Sequence, residues 1–377
     1  MEGNTKSPGA EALQPSVPLF WPLAAAAAMG QAELELFRKN LKFLMEAHKV
    51  DHQPKPRFAT ANTVLLELHT LRLRAFGDPN ATAAPTIIMA PYAGHSAAIA
   101  DYHDGQSLVQ TMLANGHARV LVTDWNSASL DMKDYDIDNY LADLNVCLDD
   151  LGSHVNLVGL CQGGWMAAMY AARYPDRVRA LVLAGSPIDT HAGDGPLKKM
   201  VQASPPGFFE ELVALGGGLM RGRLMLRGWK NMHPDEQYLD KYVRLYEHID
   251  DPDYLSKTET FSAWYENAID LPGRWYLQAV NELFKQNRLA EGRFVGLGRT
   301  LSLRDIRCPA YLVAGDADDV TPKEQVFAAE GLLGTRRQDI VKAVVPGGHI
   351  GLFMASRTLR SIWPQIAKWM LEVREVP

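Results

Sequence analysis

The stretch that most constrains this chain is the junction at residues 155–165. A short, mostly apolar run, Val155 to Leu160, ends in Gly159-Leu160-Cys161-Gln162-Gly163-Gly164-Trp165 and passes straight into Met166 to Arg173, which has the composition of a helix packed on a sheet. A strand that becomes a helix with no loop between them needs a turn sharp enough to strain the residue at its apex. Side chains two positions to either side would collide with that apex or with the sheet, so the geometry requires glycines at 159 and 163. The apex residue is Cys161. Its sulfur would sit at a helix start, where the dipole favours thiolate over thiol, and the Gln162 amide would point at any oxyanion formed there. Cysteine is also among the most buried residue types, and two glycines can flank it by chance. The strand before it and the helix after it favour the functional reading.

Comparable apolar runs recur at Thr86 to Ala90, Val120 to Thr123, Ala180 to Ala184, Ala310 to Ala314 and Ile340 to Val345, with helical stretches between them. That alternation predicts βαβ units around a parallel sheet. Ahead of them, Thr63 to Phe76 sets Leu71, Leu73 and Ala75 against Arg72 and Arg74, the pattern of an exposed antiparallel hairpin. The strand rhythm stops between Ser186 and about Arg307, where large aromatic residues accumulate, among them Phe208, Trp229, Tyr242, Phe261, Trp264 and Tyr265. A structureless connection of that length is improbable, so residues 187–307 are expected to form a mostly helical cap inserted in a domain spanning 61–377. Residues 1–60 read as a tail followed by an amphipathic helix, with Leu34, Phe37, Leu41, Leu44 and Met45 at helical spacing. Its apolar face is expected to pack on the body of the chain or on a second subunit, which makes a homodimer one of the expected assemblies, with docking onto an apolar surface outside the protein as the alternative.

Charge and cysteine content exclude several classes. The 377 residues carry 38 Lys and Arg against 44 Asp and Glu, a net charge of −6, so no basic surface is expected to hold nucleic acid. The three cysteines, Cys147, Cys161 and Cys308, are far apart and form no CxxC pair. This argues against a disulfide framework and a thiolate metal site, and fits a reducing cytoplasm. Leu19 to Met29 is too short for a membrane span, and Glu2 and Glu11 ahead of it outnumber Lys6, unlike a secretory signal. With no metal-ligand spacing and no phosphate-binding glycine loop, no metal or cofactor is expected.

A nucleophile at such a turn needs a base and a group to orient the base. His349, in Val345-Pro346-Gly347-Gly348-His349-Ile350-Gly351, follows the last apolar run in a glycine-flanked loop. Three aspartates occupy the turn Gly315-Asp316-Ala317-Asp318-Asp319-Val320-Thr321-Pro322; Asp318 is the expected acid and Asp319 the alternative. Thr321, Pro322 and Glu324 resemble the cap, first residue and capping box of a following helix. After the first parallel strand, Ala90-Pro91-Tyr92-Ala93-Gly94-His95 should supply a second oxyanion amide, from Tyr92 or Ala93, to join that of Gln162. His95, Trp165 and Trp125 are the candidates for substrate contact.

With these residues assembled, the sequence resembles the polyhydroxyalkanoate enzymes, a group containing intracellular depolymerases and polyhydroxyalkanoate synthases with a cysteine nucleophile. The likeness runs from about Ala84 to Met370. The segments Ala90 to His95 and Val122-Thr123-Asp124-Trp125 are similar to depolymerases, whereas Gly159 to Gly164 and Gly348-His349-Ile350-Gly351 are similar to synthases. Leu271-Pro272-Gly273 with Tyr276, Asn287-Arg288-Leu289 and Gly292 resembles both. The resemblance implies an α/β-hydrolase fold: a mostly parallel central sheet flanked by helices, with a mostly helical cap insertion. It places nucleophile, acid and histidine on Cys161, Asp318 and His349. The activity expected from it is hydrolysis of poly-3-hydroxybutyrate through a cysteine thioester, with synthesis from 3-hydroxyacyl-coenzyme A and granule binding without catalysis as alternatives. The implied partner is a polyester granule or a 3-hydroxyacyl ester or coenzyme A substrate, and the implied location the cytoplasm, at such granules.

Overall fold

The computed structural model describes residues 31–51, 53–152, 154–232 and 240–373. The apolar stretch Leu19 to Met29 and the rest of the tail ahead of residue 31 lie outside them. In chain order the strands are β1 Thr63–Glu67, β2 Leu71–Gly77, β3 Thr86–Met89, β4 Arg119–Trp125, β5 Val155–Leu160 and β6 Val178–Ala184, then four two-residue strands, β7 Leu219–Met220, β8 Leu271–Pro272, β9 Val295–Gly296 and β10 Arg299–Thr300, and finally β11 Ala310–Gly315 and β12 Ile340–Val345.

Eight of these form one sheet in the order β1-β2-β4-β3-β5-β6-β11-β12, antiparallel at the β1-β2 and β2-β4 pairs and parallel elsewhere. From β3 the chain passes to β4 on one side and then to β5 on the other, so the carboxyl ends of β3 and β5 border the crevice where ligands of such sheets bind. The apolar runs are strands because the sheet is covered on both faces: every residue of β3, β5 and β11 is buried. Two apolar clusters fill the space, one on each face, led by Leu71, Leu157 and Trp165 on one side and by Ile88, Val158 and Trp363 on the other. The 63–76 hairpin is less exposed than its alternation suggested, because β2 pairs with β4 and buries Leu71, Leu73 and Ala75, so that of its two strands β1 alone lies at an edge of the sheet.

Between β6 and β11 the described residues are mainly helical: Pro196–Ala203, Phe208–Leu215, Gly222–Met232, Lys241–Glu247, Pro252–Glu266 and Gly273–Gln278, followed by a π-helical turn at Ala279–Lys285. The first described helix, Gln31–Asp51, lies against this insertion. Its contact with the insertion is not made through the apolar stripe. Leu41, Leu44 and Met45 point to solvent, while the helix docks through the opposite side. There Phe43 meets the Tyr246 ring edge-on at 5.5 Å, Lys39 lies over the same ring at 4.6 Å, and Lys42 pairs with Asp250 at 3.0 Å. The insertion offers a ring and a carboxylate rather than a flat apolar seat, and lysine stems cover a ring well while their charges stay wet. Among the described residues no helix is long and apolar enough to cross a membrane.

Candidate active site

The junction after β5 has the backbone its sequence requires. Cys161 sits at φ 50°, ψ −122°, in the left-handed half of conformational space that a side chain rarely adopts. Its N–H donates to the Ala184 carbonyl at 2.8 Å, and its own carbonyl accepts from Gly164 N at 2.9 Å, which pins the turn to β6 and to the helix Gln162–Arg173. A Cβ on Gly159 would stand 2.3 Å from Gly164 Cα, and one on Gly163 would stand 2.1 Å from the Met89 carbonyl oxygen. Strand, helix and β3 therefore approach closely only because these side chains are missing.

His349, beyond β12, stands beside Asp318, beyond β11. Its Nδ1 lies 2.8 Å from Asp318 Oδ2, and the Asp318 side chain is wholly removed from solvent. The other oxygen, Oδ1, accepts from Val320 N at 3.1 Å and Thr321 N at 2.8 Å. The following helix, Lys323–Phe327, consequently has no side-chain cap of its own: the expected capping box of Thr321 and Glu324 is replaced by the Asp318 carboxylate. Every lone pair taken by the turn holds that carboxylate in place for the ring.

Cys161 and His349 line the same cavity, of about 490 Å³. Burial is the largest influence on the imidazole and pulls its pKa down, but negative charge on Cys161 and on Asp318 together outweighs it and holds the ring well above the usual 6.5. Nε2 is buried and has no hydrogen bond of ordinary geometry, so the sulfur contact is looser than the carboxylate contact. Such pairs commonly tighten only around substrate. The cavity walls are apolar and aromatic, with Trp229, Phe261, Trp264 and Tyr265 from the insertion, and with Ala93 and His95 from the loop after β3. His95 stacks on Trp264 at 4.7 Å and Tyr265 at 5.1 Å, and its Nε2 lies 3.2 Å from the Tyr265 carbonyl. Burial among these rings lowers its pKa to about 4, so it is neutral.

Three expectations require correction. The Tyr92 N–H is not free to meet an oxyanion, because it donates to Gln162 Oε1; the Gln162 side chain is buried and takes this amide as its partner. That leaves the Gln162 and Ala93 amides as the candidate pair. Trp165 points away from the cavity: it is 2% exposed and stacks on Trp275 at 5.7 Å across the far face of its helix. Trp125 is also buried and away from the Cys161 cavity, donating from Nε1 to the Ala90 carbonyl at 2.8 Å and packing on Tyr92 and Tyr140, and it borders a second cavity instead. Trp165 is core because it lies on the side of the helix Gln162–Arg173 that packs on Trp275, away from the Cys161 cavity. Conversely, Trp229, Phe261, Trp264 and Tyr265 were readable only as apolar insertion residues; no local spacing marks which rings reach the sulfur.

Residues 44–372 match the family model described as "Protein of unknown function (DUF3141)". The chain is 28% identical over 356 residues to the poly(3-hydroxyalkanoate) polymerase subunit PhaC of Allochromatium vinosum, covering 91% of this chain and 96% of that protein. It is 27% identical over 323 residues to the protein of the same description from Haloferax mediterranei, covering 84% of this chain and 65% of that one. The fold also matches the crystal structure of a monoacylglycerol lipase from Paleococcus ferrophilus, with a TM-score of 0.50, 16% identity, and coverage of 81% of this chain and 99% of the lipase. These relatives are polymerase subunits, which overturns the expectation of a depolymerase drawn from Ala90 to His95 and Val122 to Trp125. The chain has an α/β-hydrolase fold, is similar in sequence to polyhydroxyalkanoate polymerase subunits, and belongs to the family described as DUF3141.

Proposed function

We propose that the protein is a polyhydroxyalkanoate polymerase that transfers 3-hydroxyacyl groups from coenzyme A thioesters through Cys161. The observation that carries this reading is the row Asp318, His349 and Cys161 at the carboxyl edge of the sheet, in a chain aligned over 91% of its length with a polymerase subunit. In the first half-reaction the Cys161 thiolate attacks the thioester carbonyl, and the Gln162 and Ala93 amides receive the developing oxyanion. The carbon–sulfur bond to coenzyme A breaks, and the departing thiolate takes the proton held on His349. In the second half-reaction His349 removes a proton from the hydroxyl of a chain end, whose oxygen attacks the Cys161 thioester. An ester forms and the Cys161 sulfur leaves as thiolate, with the proton back on the imidazole. Sulfur suits this exchange because one thioester converts to another at little free-energy difference and stays activated toward an alcohol. Asp318 holds the ring orientation and favours its protonated state.

The test is to supply the purified protein with 3-hydroxybutyryl-coenzyme A and follow free thiol, polymer mass and the mass of the Cys161 peptide. Coenzyme A release with polymer growth and an acyl group on Cys161 is the expected result. Acyl transfer with no modification at Cys161, or no thiol release at all, would overturn the assignment.

A further inference from the structure

A second cavity, of about 580 Å³, lies at the same end of the sheet on the other side of a thin wall. The wall consists of residues 94–96 and 264–269, tied together by Ile269 N to the Gly94 carbonyl at 2.8 Å and Trp264 Nε1 to the Ser96 carbonyl at 2.8 Å. His95 and Tyr265 face the Cys161 cavity, whereas Ser96 and Ile269 face the second one. In a chain of net charge −6, this second cavity gathers Lys55, Arg57, Arg72 and Arg74 around a single carboxylate, Asp124.

The guanidinium groups are set in place rather than loose. Arg74 donates to Asp124 at 2.7 Å and to Asn62 at 2.9 Å, with Phe58 beneath it at 4.8 Å. Arg72 forks onto Asn126 Oδ1 at 3.1 and 2.8 Å. Both project from the face of β2 opposite Leu71, Leu73 and Ala75, a face that could have been apolar. Asp124 pairs with Arg74 and also lies 3.8 Å from Arg72, which stands 4.0 Å from Glu67, whereas Lys55 and Arg57, exposed at the mouth, have no ion pair among the described residues. Fixed guanidinium forks beside free cations match the geometry and charge of phosphate esters. Resting on the polymerase reading, we propose that this cavity binds the phosphate groups of the carrier whose thioester arm crosses the wall to Cys161.

The test uses the full chain and the variant Lys55→Glu/Arg57→Glu, whose changed side chains are exposed and so leave packing intact. Coenzyme A binding should weaken about tenfold or more in the variant, and in the wild type should weaken as salt rises. Pantetheine, which has the thiol arm but no nucleotide phosphates, should show a change at least fivefold smaller, on the order expected for a contact it does not make. Equal losses for both probes, or no loss for coenzyme A, would overturn the proposal. So would inorganic phosphate binding as tightly as coenzyme A at this site, since the site would then serve a free anion. Charge-dependent coenzyme A binding without thioester turnover by the wild type would leave this site standing and sink the polymerase reading. Turnover with a KM indifferent to the variant would do the reverse.

Discussion

The floor and the wall of the Cys161 cavity each carry a histidine, and their surroundings drive the two rings in opposite directions. On the floor, at the sheet edge, His349 is buried yet held well above 6.5, because burial is outweighed by Cys161 and Asp318. On the wall, His95 lies between Trp264 and Tyr265 with no anion against it strong enough to offset burial, and falls to about 4. The His95 ring is thus neutral among aromatic neighbours, while the His349 ring stands beside the Asp318 carboxylate, where bonds would change. The two regions are also built differently. The floor is close-packed backbone, where Gly163 admits no extra atom. The insertion is held by rings and by ion pairs such as Lys230 with Glu266 at 2.7 Å and Lys241 with Glu266 at 3.2 Å. Polar and partly exposed contacts of this kind give lower local stability than buried apolar ones.

The largest expected effect lies on the floor. Cys161→Ala or His349→Ala should reduce coenzyme A release by about a thousandfold or more, with the fold intact by circular dichroism. Substantial turnover in either variant would break the distinction between floor and wall. Asp318→Asn should lose roughly a hundredfold, keeping a residue of activity because the carboxylate orients the ring without itself reacting. It should also shift the alkaline limb of kcat/KM to lower pH, since the proton on His349 loses an anionic neighbour. An unmoved limb would mean that Asp318 acts only by packing.

Two glycine variants probe the packing contrast. Gly163→Ala should cost about 2–3 kcal/mol in urea unfolding, because its Cβ meets the backbone of β3 rather than a side chain that can yield. Gly228→Ala, in the insertion helix Gly222–Met232 with no heavy atom within 4 Å of the new Cβ, should stabilise by about 0.5–1 kcal/mol. Similar values for the two would erase the difference between floor and insertion.

The smallest effect concerns pH. His349 has a folded pKa above its unfolded value, so its contribution to stability is complete below about pH 6.5 and is lost as pH rises through the folded value. His95 has a folded pKa near 4 against 6.5 unfolded, so it withdraws stability as pH falls from 6.5 toward 4. Part of the His95 ring still touches the cavity, so the loss should be on the order of 1 kcal/mol rather than the full linkage value. His95→Phe should flatten the acid side of the stability profile and leave the alkaline side alone. An unchanged acid side would locate that titration elsewhere.

Legibility in the sequence followed the range of the interactions involved. The run Val155 to Leu160 coincides with β5, because a strand covered on both faces must be apolar along its whole length, and the run Ile340 to Val345 coincides with β12, an edge strand that exposes Lys342 and Val344. The meeting of Asp318 and His349 was also legible, since each follows a strand and β11 pairs with β12 in parallel register. The stripe on Gln31–Asp51 did not foretell the contact with the insertion, because periodicity identifies an amphipathic helix without saying which neighbour it meets. Trp165 and Trp125 misled for a related reason: adjacency to the Cys161 turn along the chain does not decide which side of a helix or strand end a ring occupies.

By itself, then, the sequence determined the strained turn at Cys161, the placing of Asp318 and His349 each after a strand, and the rhythm of the parallel sheet. Each depends on steric rules that act over a few residues. Only the tertiary structure decided that the Tyr92 amide belongs to Gln162, that insertion rings rather than Trp165 wall the cavity, and that Arg72 and Arg74 meet Lys55 and Arg57. These depend on which distant segments share one volume, and on the requirement that every buried donor find an acceptor, a condition no local stretch of sequence can satisfy alone.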